Sequence, residues 1–196
     1  MTMHMSFGQG DLFASEPAQA AAPEGFRYQP ELITAEEGAA LIAELAGLPF
    51  EPFDFHGYKA NREVVSYGWR YDRASRAIAE AEPIPAFLHG LRVRAAAFAG
   101  RPAEAFVQVL INAYRPGAGV GWHRDRPHFG EVVGVSLGSA SPFRLRRRDG
   151  EGWLRRTLIV EPRSAYLMSG PARWAWEHSV PPVERPRWSI TLRTRA

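Results

Sequence analysis

The sequence predicts an α+β protein in which helices from the first half pack on a jelly-roll-like core of strands from the second. Two helix-spaced apolar segments lie before residue 101, and from Phe106 onward the chain breaks into eight short β-rich runs divided by turn residues. The composition, 45% hydrophobic and 23% charged over 196 residues, supplies core enough for one domain. Residues 1–22, rich in Gly, Ala and Ser without a period, read as a flexible tail, and the domain is expected over 23–196.

Each element has its own signal. Thr34 with Glu37 makes a capping box, and Ala40, Leu41, Leu45 and Leu48 recur at helical spacing until Gly47 and Pro49 end it, so a helix is expected over about 34–47. Residues 50–72 hold Phe50, Phe53, Phe55, Tyr58, Tyr67, Trp69 and Tyr71 among Pro, Gly and Arg, with odd-numbered aromatics alternating across Val65–Tyr71; loop and hairpin are expected there. Phe87, Leu88, Leu91, Ala95 and Phe98 repeat every three or four residues up to Gly100, marking a second helix over roughly 84–100. The strand-like runs are FVQVLINAY, VGWHRD, VVGVSLG, PFRLRRR, WLRRTLIVE, SAYLMSG, WEHSV and RWSITLRT.

Composition narrows the chemistry. With no cysteine, disulfides, Cys-ligated zinc, iron–sulfur clusters and thiol catalysis are excluded, and any metal must sit on His and carboxylates. No apolar run approaches the roughly 18 residues of a membrane helix, and residues 1–22 lack the basic start and apolar core of a secretory signal, so a soluble cytoplasmic protein is expected. The basic residues are arginine except for Lys59, and the net charge of +3 permits a phosphate-bearing partner without demanding one.

Among the six histidines, His123 is separated from Asp125 by one residue in an expected strand, so a period of two puts both side chains on one face. Two such groups suit neighbouring positions on one octahedral metal, and His178, on another expected strand, could complete a facial triad that leaves positions open for cosubstrate and dioxygen on iron(II). A lone His-x-Asp is also what a solvated turn looks like. The run RWSITLR supplies context: Arg187, Ser189, Thr191 and Arg193 alternate with Trp188, Ile190 and Leu192, giving one polar, cationic face and one apolar face. Two arginines turned into one interior need an anion, and a small dicarboxylate chelating the metal would meet that need. Asn112 and Tyr114, also two apart, could donate further hydrogen bonds to it. An exposed basic strand is the alternative.

Taken together, NAYRPGAGVGWHRD, the distal His178 in WEHSV, and RWSITLR resemble the AlkB family of iron(II)- and 2-oxoglutarate-dependent dioxygenases, whose pattern is Asn-x-Tyr-x-x-Gly, His-x-Asp, a distal His and Arg-x-(Asn/Ser)-x-x-x-Arg. The resemblance covers residues from about 106 to 195 closely. It implies a double-stranded β-helix core with N-terminal helices packed on it. It implies that His123, Asp125 and His178 bind Fe(II), that Arg187 with Ser189 holds the distal carboxylate of 2-oxoglutarate, that Arg193 and Asn112 lie near its metal-chelating end, and that Tyr114 hydrogen-bonds it. The implied reaction consumes O2 and 2-oxoglutarate, hydroxylates an N-methyl group of an alkylated nucleobase, and releases formaldehyde, succinate and CO2.

Such a substrate is reached by flipping the base or acting on a single strand, which calls for aromatic stacking surfaces and phosphate-binding arginines. Phe53, Phe55, Tyr58, Tyr67, Trp69 and Tyr71 are the stacking candidates, in the segment where the family places its nucleotide-recognition lid; ordinary core is the competing reading. Arg144, Arg146, Arg147, Arg148, Arg155 and Arg156 flank Asp149–Gly150, a hairpin that could track phosphates or form a solvated edge that blocks strand pairing. One departure stands out: the best-known bacterial repair members carry an acidic residue two positions after the ligand Asp, where this chain has Pro127. QGDLF, Gln9 to Phe13, resembles the short peptides that dock bacterial repair and replication proteins on the sliding clamp; a tail patch that packs on the domain is the competing reading. The rivals to nucleic-acid dealkylation are the same chemistry on a protein or small molecule, and a catalytically idle β-barrel binding module.

Overall fold

The computed structural model describes residues 22–55, 58–72 and 77–196. The tail, with its Gln9–Phe13 segment, lies outside the described residues. The strands are β1 (Phe26–Gln29), β2 (Glu51–Phe55), β3 (Tyr58–Asp72), β4 (Ala77–Glu80), β5 (Phe106–Tyr114), β6 (Val120–His123), β7 (Phe129–Gly138), β8 (Ser141–Asp149), β9 (Gly152–Val160), β10 (Ala165–Met168), β11 (Glu177–Val180) and β12 (Arg187–Arg195). The helices are α1 (Ala35–Leu45), α2 (His89–Ala99) and a short α3 (Gly170–Trp174).

The capping box forms as the sequence requires: the Glu37 amide donates to the Thr34 hydroxyl at 3.2 Å, and the Thr34 amide donates to the Glu37 carboxylate at 2.8 Å. The second helix opens with a single 3-10 turn, Ala86–Leu88, and closes on Gly100, whose φ of +71° is the left-handed cap that glycine adopts without strain. The aromatic segment forms the expected hairpin, β2 pairing antiparallel with β3, and extends it, because β3 runs on to pair with β4 and β5 as well. Among the described residues, α3 has no counterpart in the expected elements; Pro171 in its first turn is a helix-start signal too brief to read as a periodic stretch.

The strands form two antiparallel sheets. The larger has the order β1-β10-β7-β12-β5-β3-β2, with β4 joined to β3, and the smaller has the order β6-β11-β8-β9. This is the jelly-roll expected from the strand-rich second half. Two cores result. One lies between the larger sheet and α1 and α2, built from Leu41, Leu45, Leu91, Val109, Ile111, Val135, Ile190 and Leu192; the other lies between the sheets, built from Phe143, Leu145, Val132, Val160, Tyr166 and Met168. β12 is therefore buried on both faces. Its even-numbered residues face the helices, and its odd-numbered polar residues face the inter-sheet space.

Loss of the capping hydroxyl in Thr34→Ala is expected to cost about 1 kcal/mol. Thermal unfolding should show this as a fall in melting temperature of roughly 2–4 °C.

Candidate metal centre and cosubstrate pocket

Register brings the three candidate ligands together. β6 and β11 are paired so that His123 lies opposite His178, which puts both imidazoles on the inner face of the smaller sheet with ring centroids 4.2 Å apart. Asp125, just past β6, turns its carboxylate between them: Oδ1 is 3.6 Å from His123 Nε2 and 3.8 Å from His178 Nε2. One donor atom from each residue lies within 4.8 Å of the others, close enough to share one cation. Two imidazoles and a carboxylate are the donor set that suits iron(II) and leaves other positions open. His123 Nδ1 lies 2.9 Å from the Gly121 carbonyl, to which its N–H can donate; that tautomer leaves the Nε2 lone pair free for a metal.

Electrostatics keeps Asp125 and His178 in their metal-binding protonation states. Burial pushes His178 down to about 3, helped by the neighbouring His123. For Asp125, burial alone would raise the carboxyl, but the Arg193 guanidinium, with the two imidazoles, holds it well below the usual carboxylate range. The Arg193 contact is direct: Nε donates to Asp125 Oδ2 at 2.8 Å, and Nη1 donates to Gln108 Oε1 at 3.1 Å. Both members of this ion pair are largely buried.

β12 pairs with β5 so that Arg187 stands opposite Tyr114, Ser189 opposite Asn112 and Arg193 opposite Gln108. The Asn112 amide donates to the Ser189 hydroxyl at 3.4 Å. All of these side chains, with His123, Asp125 and His178, line one pocket between the sheets that is partly open to solvent. Arg187 is 1% exposed, its guanidinium carbon lies 5.1 Å from the Tyr114 ring centre, and its buried Nε and Nη1 have no hydrogen-bond partner. A buried cation left with two unsatisfied donors is costly unless an anion completes it. The residues thus fit both a divalent metal and an acid beside it.

The structure adds residues the sequence did not single out. Tyr166, on β10, lies opposite Gly134 of β7; a Cβ at position 134 would stand 2.2 Å from the tyrosine ring, so only glycine lets the ring lie across the sheet as part of the pocket wall. Burial pushes the Tyr166 hydroxyl above its ordinary range, so it remains a neutral donor. Met168 and Phe143 close the pocket, the latter stacked 5.5 Å from His178, and Arg62 reaches in from β3. Gly134 and Tyr166 carry no signal without knowledge of which strands pair.

The aromatic candidates separate. Tyr67 turns to the opposite face of β3 and packs in the helix-side core, where a base cannot reach it, because its parity on β3 differs from that of Arg62. Trp69 lies beyond the β3–β5 pairing, with Arg195 4.7 Å over its ring. The side chains of Phe55, Tyr58 and Tyr71 lie outside the described residues. The arginine-rich segment forms the β8–β9 hairpin, and its outer face stacks cations on indoles: Arg146 lies 4.4 Å over Trp122 and 4.0 Å over Trp153, flanked by Arg144 and Arg148.

Comparison with known proteins agrees with this geometry. The family model of the 2OG-Fe(II) oxygenase superfamily matches residues 25–195. The chain belongs to that superfamily, and within it is AlkB-like; its cofactors are Fe(II), 2-oxoglutarate and O2. Over 170 residues it is 25% identical to the mouse tRNA (carboxymethyluridine(34)-5-O)-methyltransferase ALKBH8, covering 83% of this chain and 25% of that protein. Over 183 residues it is 26% identical to the Arabidopsis thaliana alkylated DNA repair protein ALKBH8 homolog, covering 80% of this chain and 51% of that one. The chain therefore spans between a quarter and half the length of these two relatives. Two solved structures share the fold: OsALKBH1, at TM-score 0.66 and 17% identity over 87% of this chain and 97% of that one, and a Pseudomonas putida prolyl-4-hydroxylase, at TM-score 0.60 and 16% identity over 88% and 93%. No helix among the described residues is long and apolar enough to cross a membrane.

Removing Arg193 strands the buried Asp125 charge. In the metal-free protein Arg193→Ala is expected to lose about 3–5 kcal/mol of unfolding free energy at neutral pH, measured by urea titration. The folded carboxyl titrates below its unfolded value of about 3.9, so the pair's contribution is present above that pH and is lost as acid protonates the folded group. The gap between variant and wild type should therefore narrow below about pH 4.

Proposed function

We propose that residues 23–196 form a dioxygenase domain that oxidatively dealkylates N-alkylated nucleobases in DNA or RNA. His123, Asp125 and His178 hold the iron(II). Arg187 with Ser189 takes the distal carboxylate of 2-oxoglutarate, Asn112 and Tyr114 donate along it, and Arg193 fixes Asp125 near its chelating end. The observation that carries this reading is Arg187: a fully buried guanidinium with two donors unmet, in the same pocket as the His-Asp-His set.

Bound iron(II), with 2-oxoglutarate and dioxygen, supplies the oxidising power. The chain's own groups do the rest. The Arg193–Asp125 bond aims one carboxylate oxygen at the imidazoles, the apolar wall of Phe143 and Met168 excludes bulk water, and the polar row on β12 sets the orientation of the dicarboxylate. For an N-methyl base the balance is one O2 and one 2-oxoglutarate consumed, with demethylated base, formaldehyde, succinate and CO2 formed.

The nucleic-acid substrate is supported by the mouse and Arabidopsis relatives, one named a tRNA (carboxymethyluridine(34)-5-O)-methyltransferase and one an alkylated DNA repair protein. It is supported also by the Arg144–Trp122–Arg146–Trp153–Arg148 stack, a cationic surface on the outer face of the sheet that carries His123 and His178, suited to a phosphate backbone.

Two measurements test the reading. Arg187→Met is expected to abolish the rise in melting temperature that 2-oxoglutarate gives the metal-loaded wild type, while stabilising the ligand-free fold by roughly 1–3 kcal/mol through removal of an unsatisfied buried charge. Formaldehyde should be released from methylated oligonucleotides and be lost in His123→Ala. Release from methylated peptides alone would overturn the nucleic-acid assignment.

A further inference from the structure

Arg62 is the one charged residue among the described pocket lining that the proposed chemistry leaves without a task. β3 sets it opposite Tyr114 of β5, so it enters the pocket on the face that Asn112 and Tyr114 share. Its guanidinium lies 4.0 Å over the Phe53 ring, and its buried Nε has no hydrogen-bond partner among the described residues. Burial pulls the group below the ordinary arginine range, opposed by Asp125 and reinforced by Arg193, but a guanidinium remains a cation at neutral pH. Among the described residues no ion pair is formed by this guanidinium. Asp125 is the only acid among the described lining residues, and its Oδ2 already accepts from Arg193. Two positions further along the chain stands Pro127, which brings no carboxylate.

We propose that Arg62 decides which bases the site accepts, donating from its free edge to a carbonyl oxygen of a neutral base and turning cationic bases away. This rests on the nucleic-acid reading given above. A guanidinium is a donor-only planar fork, so its complement is an acceptor. Uracil-, thymine- and guanine-type bases present a carbonyl beside the ring nitrogen that would carry the alkyl group. Bases that become cations on alkylation, such as 1-methyladenine and 3-methylcytosine, would bring a second positive charge into a pocket where little water remains to screen it. Phe53 packs with its ring centre 4.0 Å from the guanidinium carbon, a contact that engages the cation without using any of its N–H donors.

The test compares two single-stranded oligonucleotides identical except for one 3-methylthymine, which is neutral, or one 3-methylcytosine, which is a cation. Binding to the full chain is read by fluorescence anisotropy, with redox-inert zinc(II) and 2-oxoglutarate present so that no turnover occurs; formaldehyde release is then read with iron(II). Wild type is expected to bind the neutral oligonucleotide at least about tenfold more tightly. Arg62→Gln should bring the ratio toward one, and Arg62→Glu should reverse it. Melting temperatures report folding, and the neutral glutamine variant carries the test if the glutamate variant does not fold. Tighter binding of 3-methylcytosine by wild type would overturn the proposal. So would an equal loss of both oligonucleotides in Arg62→Gln with the ratio unmoved, which would make Arg62 a phosphate contact. Failure of wild type to bind or demethylate either oligonucleotide would instead defeat the nucleic-acid reading, and this proposal with it.

Discussion

Charge inside the sandwich is out of balance, and the character of the pocket follows from that. Three guanidiniums, those of Arg62, Arg187 and Arg193, share one lining with a single carboxylate, Asp125. Arg193 and Asp125 satisfy each other at 2.8 Å, which leaves Arg187 fully buried and Arg62 half-buried, each with at least one buried donor that has no partner. A fold tolerates this only where the remainder of the core is strongly favourable and the deficit is made up when a ligand arrives. The proposed cosubstrate, with two carboxylates, supplies the missing negative charge at Arg187. Arg62 then stands as the unanswered cation at the substrate side.

Position within the sheet is what makes that imbalance useful. β12 is hydrogen-bonded to β5 on one side and β7 on the other, and its even-numbered residues are pressed against the helix-side core. Its polar row is thereby held from three directions. The ligand histidines sit on the facing sheet, so the gap between cosubstrate residues and metal residues is fixed by sheet-to-sheet packing through Phe143, Val132 and Met168 rather than by a loop.

Much of this arrangement was legible along the chain, because it depends on spacing within single strands. A period of two put Arg187, Ser189 and Arg193 on one face and Trp188, Ile190 and Leu192 on the other, and the same arithmetic paired Asn112 with Tyr114. The caps at Thr34 and Gly100 are local chemistry and declared themselves. What did not show was anything decided by which strands meet. Arg62 belongs to the pocket only because β3 lies beside β5 in a register that opposes it to Tyr114, and that same register turns Tyr67 away into the helix-side core. Tyr166 likewise needs Gly134 across from it on β7. The Arg193–Asp125 bond joins residues 68 apart in sequence, a contact no motif encodes.

The placement of β12 has a further consequence for how the protein is made. It follows every other described element in the chain, yet it fills the middle of the larger sheet. Until β12 has been synthesised, β5 and β7 have open edges where β12 will later lie between them, each carrying apolar side chains toward the future core. Nascent chains held at that stage would be exposed to mispairing with one another, so the interval between synthesis of β11 and insertion of β12 is when this fold most needs a chaperone.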